Sequence, residues 1–234
     1  MKRFNQLTIL RVIVVFSVAC TLHSIAAPPP PQPESTNSLA IIGAEAIEPR
    51  SSIWQNGIGE GFLSTVQDFS VEPGIALGMA TFGSRQAHDL ALLSLGYGHM
   101  LGHVMGEGHW YRGNFEGRLE LFGGAQYSPD VDTDGWLVGL TPHLRYNFAT
   151  GTRWIPFLDG GAGVTATGIG PPDVSGTFEF NLQASTGVRW FLRDDLALTG
   201  EVRYMHLSCA GIHQPNLGLN NVAFFLGVTW FFGK

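Results

Sequence analysis

From Ile75 onward the chain alternates apolar and polar residues in segments of about ten, a period characteristic of strands. Residues 178–191 show it best. Phe178, Phe180, Leu182, Ala184, Val188 and Trp190 share one parity, and Glu179, Asn181, Gln183, Ser185 and Arg189 share the other. Successive side chains of a strand point to opposite faces, so these are two faces of one strand. Residues 136–148 repeat the pattern, with Trp136, Val138, Leu140, Leu144, Tyr146 and Phe148 against His143, Arg145 and Asn147. In 115–122, Phe115, Leu119 and Leu121 oppose Glu116, Arg118 and Glu120, and 196–208 and 222–232 follow suit. Turn residues separate the segments. Eight strands are predicted, near 75–82, 88–99, 112–126, 136–148, 154–166, 177–192, 196–207 and 222–232.

The chemistry of the two faces decides which one is inside. The apolar faces carry aromatics at both strand ends, Trp136 and Phe148 on one segment and Phe178 and Trp190 on another, as interfacial girdles do. The polar faces mix both signs: Glu116, Arg118, Glu120, Arg145, Glu179, Arg189, Glu201 and Arg203. That is the composition of a paired interior, expected to be a structural ion-pair network. Backbone groups in lipid must be satisfied within the protein, so alternating strands in a membrane must close on themselves. The fold class is therefore all-β, an eight-stranded antiparallel transmembrane β-barrel of the outer-membrane kind. A soluble lipocalin-like barrel fits girdled strands with charged opposite faces poorly. Eight strands leave an interior filled by side chains, which argues against a channel.

Connection lengths orient the barrel. The loops at 127–135, 167–176 and 208–221 are long, those at 149–153 and 193–195 are short, and the run 100–111 reads as partial strand extension. Short turns belong to the periplasm, and an even strand count puts both barrel termini there. The last strand ends in Trp230-Phe231-Phe232, an aromatic end that resembles the C-terminal insertion signal of such barrels, with Gly233 and Lys234 beyond it.

The N-terminus changes the picture next. Lys2, Arg3 and Arg11 precede or open an apolar run, Val12 to Ala19, and Ser24-Ile25-Ala26 is a small-x-small cleavage site. Residues 1–26 read as a secretory signal. A lipoprotein reading through Cys20 is disfavoured because Ser17 stands where Leu is wanted. The signal holds three of the 13 basic residues and none of the 19 acidic ones, so the mature charge is 10 − 19 = −9. That excludes nucleic acid as an expected partner. Cys209 is the cysteine left after cleavage, so no internal disulfide is expected. Residues 27–73 read as a Pro-rich linker (Pro28 to Pro31, Pro33) followed by a loosely structured segment with a short helix near Phe62 to Phe69; residues 74–234 are the barrel. Gly57-Ile58-Gly59-Glu60-Gly61 has the wrong spacing for a phosphate loop.

Candidate chemistry lies at the end of the seventh strand. His206 and Ser208 share parity with Leu196, Leu198, Val202 and Tyr204, the lipid face, and Asn220 shares parity with Val222, Phe224, Leu226, Val228 and Trp230. Polar groups on a lipid face are costly and mark a functional site. A His beside a Ser can make a nucleophile; the bland alternative is a polar rim pair at headgroup level. Asn220 is equally well read as a turn residue opening the last strand. His99, His103 and His109, with Glu107, match no tight metal motif and read as solvated turn residues; His88-Asp89 reads as a strand start, and Cys209 as a packing residue. No cofactor is expected.

His206-x-Ser208-x-x-Gly211-x-x-x-Pro215-Asn216-x-Gly218 resembles the signature of the lipid A 3-O-deacylase (PagL-type) family of outer-membrane barrels. The resemblance extends loosely over the barrel, including Trp154-Ile155-Pro156-Phe157 and the Gly-rich strand after it, and does not cover residues 27–72. It implies an esterase acting on lipid A or lipopolysaccharide in the outer leaflet. Ser208 would be the nucleophile and His206 the general base. Asn216 and the backbone around Gly211 would supply oxyanion-hole donors. Two positions depart from the pattern. Asn220 stands where a Glu would complete the triad, and Cys209 follows the Ser where Asn is common. An Asn carbonyl can orient an imidazole but brings no charge. The rival expectation is a non-catalytic structural or adhesion barrel that kept the fold and lost the chemistry at position 220.

Overall fold

A computed structural model describes residues 52–127, 135–174 and 176–233. The expected signal peptide (1–26) and Pro-rich linker (27–37) lie outside the described residues, as does most of the loop at 127–135.

Eight strands run in order: β1 Gln67–Gly78, β2 Leu90–Met100, β3 Gly113–Gln126, β4 Trp136–Phe148, β5 Trp154–Thr167, β6 Phe178–Arg193, β7 Leu196–Ser208 and β8 Leu219–Phe232. Each pairs antiparallel with the next, and β1 pairs with β8, so the sheet closes. Closure removes both edges and leaves the backbone groups of the ladder satisfied inside the sheet. The parity read from the sequence holds around the wall. On β4, Trp136, Val138, Leu140 and Leu144 are exposed while Thr141, His143, Arg145 and Asn147 are buried. Outward aromatics pair along the rim near the β4–β5 and β6–β7 turns, where the Trp154 and Trp190 rings stack at 5.2 Å.

The first strand departs from expectation. It begins at Gln67, eight residues before the predicted Ile75, and residues 62–69 form no helix. Asp68, Ser70 and Glu72 turn inward and are fully buried, while Phe69 and Ile75 face out. Pro73 sits inside the strand. The β1–β8 ladder skips Glu72 and Pro73 between Val71↔Val228 and Gly74↔Phe225, so the missing N–H falls where no bond is made. The run after β2 keeps a trace of pairing, as a bridge between Met105 and Gly113.

The interior has three tiers. Beneath the long loops lies an apolar cluster of Leu90, Leu92, Phe122, Leu137, Met205, Leu219 and Phe225, joined by Ile169 and Val174 from the β5–β6 connection. In the middle is a belt of buried ion pairs. Arg118 binds Asp68 at 3.1 Å and Glu72 at 2.9 Å. Arg145 binds Asp159 at 2.8 Å and Glu201 at 2.9 Å. Arg189 binds Glu116 at 2.7 Å, and Arg203 binds Glu120 and Glu201, each at 2.6 Å. His143 bridges Asp159 and Glu120. The expected structural network is present, except that Glu179 joins no ion pair among the described residues.

The third tier closes the opposite mouth, and the N-terminal segment supplies much of it. Residues expected to be loose instead fold across the barrel end. Ile53, Trp54, Phe62 and Val66 pack with Met100, Ile155, Phe191, Ala197 and Phe231. Phe62 stacks on Phe231 at 5.3 Å and Trp54 meets Phe191 edge-on at 4.6 Å. Asn114 of β3 pins the segment: its Oδ1 accepts from Phe62 N at 2.8 Å and its Nδ2 donates to Phe62 O at 3.1 Å. Arg112 adds an ion pair with Glu60.

Candidate active site

The site is built where β7 ends, on the wall rather than in the bore. His206 and Asn220 are direct cross-strand partners in the β7–β8 ladder, and Tyr204 partners Val222 two residues below. Opposed residues on one face of an antiparallel pair are within side-chain reach. The imidazole Nδ1 lies 2.8 Å from Asn220 Oδ1. Because a carbonyl oxygen only accepts, Nδ1 is the donor in this contact, and in the neutral ring Nε2 is the nitrogen that keeps its lone pair. Ser208 follows two residues along the same outward face; His206 and Ser208 are both half-buried. Among the described residues the Ser208 hydroxyl makes no hydrogen bond. Catalytic contacts of this sort commonly tighten only when substrate is bound.

Asn216 reaches the site from the β7–β8 loop. Its Oδ1 accepts from the Cys209 backbone N–H at 3.2 Å, which brings the amide beside the residue after Ser208. Its Nδ2 has no partner among the described residues. Cys209 is buried, its sulfur in a reciprocal pair of 3.4 Å contacts with the His213 backbone, in keeping with a packing role. Gly211 is placed differently. It lies in an exposed turn at φ 84°, after Ala210 at φ 51°, and no hydrogen bond among the described residues joins it to His206, Ser208 or Asn220.

Sequence reasoning missed the residues that surround Asn220. The Tyr204 hydroxyl donates to Asn220 Oδ1 at 2.7 Å. From the β1–β2 connection, the Thr81 carbonyl and the Ser84 Oγ each accept from Asn220 Nδ2 at 2.9 Å. Tyr204 shares His206's parity and could have been found on that ground. Ser84 is 136 residues from Asn220 and carries no such signal. His88 has more than a strand-start role: its Nε2 lies 3.1 Å from Asp173 Oδ2 and its Nδ1 3.2 Å from Gln126 Oε1. Asp173 accepts the backbone N–H groups of Arg85 and Gln86 as well, and its own carbonyl accepts from Gly218 N at 3.0 Å. Three loops are thereby tied together above β7 and β8. His99 lies in β2 facing outward, and His103 and His109 lie in the β2–β3 connection, all exposed at the other end of the barrel.

The fold is that of an eight-stranded outer-membrane barrel, with His206, Ser208 and Asn220 gathered at one outward patch of its wall. Residues 93–229 match the model of the family described as lipid A 3-O-deacylase (PagL), and the chain belongs to that family. The barrel's place is the outer membrane. Among solved structures, the chain resembles the outer membrane enzyme PagL with a TM-score of 0.50 and 20% identity, over 68% of this chain and 97% of that one. It also resembles Neisserial surface protein A, with a TM-score of 0.49 and 17% identity over 70% and 96% of the two chains. At these identities the likeness is one of fold. No curated protein matches the chain in sequence.

Proposed function

We propose that this protein is an outer-membrane esterase that removes the 3-O-linked acyl chain of lipid A in the outer leaflet, with Ser208 as nucleophile. The observation that carries the reading is the His206–Asn220 contact, on the outward face that also bears Ser208. His206 Nε2 takes the Ser208 proton as Oγ attacks the acyl carbonyl. The tetrahedral oxyanion is met by Asn216 Nδ2, which has no other partner among the described residues. The intermediate then expels the sugar oxygen, which receives the proton from His206, and water hydrolyses the acyl-serine by the same route in reverse. Asn220 holds the imidazole in the productive tautomer without adding charge. Family membership supports the substrate class, and the lipid-facing position of the site supports a substrate that arrives within the leaflet.

The test is mass spectrometry of lipid A from cells expressing the wild type or Ser208→Ala. Loss of one hydroxyacyl chain with the wild type alone bears the reading out. An unchanged mass spectrum, with the wild type folded in the outer membrane, favours the rival structural or adhesion barrel.

A further inference from the structure

We propose that the β1–β2 connection, through Ser84 and the Thr81 carbonyl, fixes which end of the Asn220 amide faces His206, making Ser84 a positioning residue for catalysis. The proposal rests on the esterase reading for its consequence but not for its geometry. An amide has two unlike ends of nearly the same shape. A triad carboxylate needs no sorting, whereas an Asn in that place works only with its oxygen toward Nδ1. Turned over, it would present an N–H to Nδ1, hold the ring in the Nε2–H form, and leave nothing to accept the Ser208 proton.

The surroundings of Asn220 choose the end by chemistry. Thr81 O is an acceptor and cannot face an amide oxygen. Ser84 Oγ donates its own hydrogen to the Gly218 carbonyl at 2.5 Å, so it can only accept from Asn220. Both therefore require Nδ2 on their side. On the other side Oδ1 accepts from His206 Nδ1 and from the Tyr204 hydroxyl. All four hydrogen-bonding positions of the amide are filled, at a residue that is 1% exposed. Turning it would set Oδ1 against the Thr81 carbonyl and the Ser84 oxygen with no donor between them, while the Tyr204 hydroxyl and the imidazole could each switch to accepting.

The loop is shaped to bring these acceptors together. Phe82, between them, holds a left-handed backbone at φ 53°, and Gly83 follows at φ 108°. That reversal lets Thr81 O accept from Ser84 N at 3.1 Å as well as from Asn220. A left-handed non-glycine residue is strained and is retained where the surroundings enforce it.

The experiment combines turnover with a direct reading of the ring. Protein with 15N-labelled histidine, folded in micelles, reports the His206 tautomer by its ring-nitrogen shifts, with His206→Asn used to assign the signal. The wild type should show Nδ1–H. Ser84→Ala should bring in Nε2–H and lower kcat about tenfold, the worth of one hydrogen bond in a barrier, with KM unchanged. In an Asn220→Asp background both ends of the side chain are alike, so adding Ser84→Ala should change neither tautomer nor kcat. A wild-type tautomer in Ser84→Ala, or an undiminished loss in the Asn220→Asp background, overturns the proposal. If Ser84→Ala does not fold, Ser84→Cys, with its weak acceptor, takes its place in both arms. A wild type that releases no acyl chain would sink the esterase reading alone, because the tautomer still decides the positioning.

Discussion

Gly218 leaves the room that the His206 ring occupies: a Cβ on Gly218 would stand 3.0 Å from His206 Cε1 and 3.1 Å from the Leu207 carbonyl oxygen. Its backbone is also left-handed, at φ 77°. Gly218→Ala therefore meets two costs, a strained backbone of about 1–3 kcal/mol and a displaced imidazole. Denaturant unfolding should register the first. Acyl release should fall by more than the stability change accounts for, since the ring is pushed from its place opposite Asn220. Full activity in a Gly218→Ala barrel would count against His206 as the base.

Asn220→Asp should be a gain. In the proposed mechanism an imidazolium forms as Ser208 attacks, and a carboxylate opposite Nδ1 would stabilise it, which an amide cannot do. In a serine protease the reverse exchange costs about 10⁴ in kcat, a worked value from another protein. The Thr81 carbonyl opposes a second carboxylate oxygen here, so a rise of at least about tenfold in kcat is the expectation. Steady-state kinetics on lipid A in mixed micelles would show it, and an unchanged kcat would mean that the imidazolium is stabilised elsewhere.

Arg203→Leu should be severely destabilising. Arg203 is fully buried and bonds Glu120 and Glu201. Removing one partner of a buried pair leaves uncompensated charge, at about 3–5 kcal/mol. Urea titration of folded barrel in lipid vesicles, following tryptophan emission, is the measurement. Replacing Glu120 and Glu201 by Gln in the same variant should recover part of the loss.

Phe62→Ala separates stability from chemistry. Phe62 is 1% exposed and stacks on Trp54 and Phe231 at the mouth away from the site. Truncating it should cost about 3–5 kcal/mol, as for core aromatics generally. Lipid A turnover by the folded fraction should stay at the wild-type level. A parallel loss of turnover would mean that the two ends are coupled.

Legibility in the sequence followed the period-two signal. β4 is expected at its observed ends because apolar residues recur at alternate positions from Trp136 to Phe148, although Leu137 interrupts the pattern. The expected first strand starts short, at Ile75, although Asp68, Ser70 and Glu72 already alternate with Phe69 and Val71. The segment carrying Trp54 and Phe62 was illegible, since a plug has no period and its residues meet partners such as Phe191 and Phe231 far along the chain. The same division runs through the site. Parity and register placed His206, Ser208 and Asn220 on one face. The Thr81 and Ser84 acceptors came from another loop, and only closure of the barrel brings β1 and β8 side by side.

His206 and Ser208 look outward from the wall, and that position changes what concentration means for the proposed reaction. A cleft in water counts molecules per litre. A half-buried patch at the head of β7 counts molecules per unit area of the leaflet around it. For a substrate held in that leaflet, diluting the surrounding buffer leaves the rate alone, whereas spreading the substrate among foreign lipid slows it. Encounter is a search in two dimensions, at a rate set by lateral diffusion and by how crowded the barrel's immediate neighbours are.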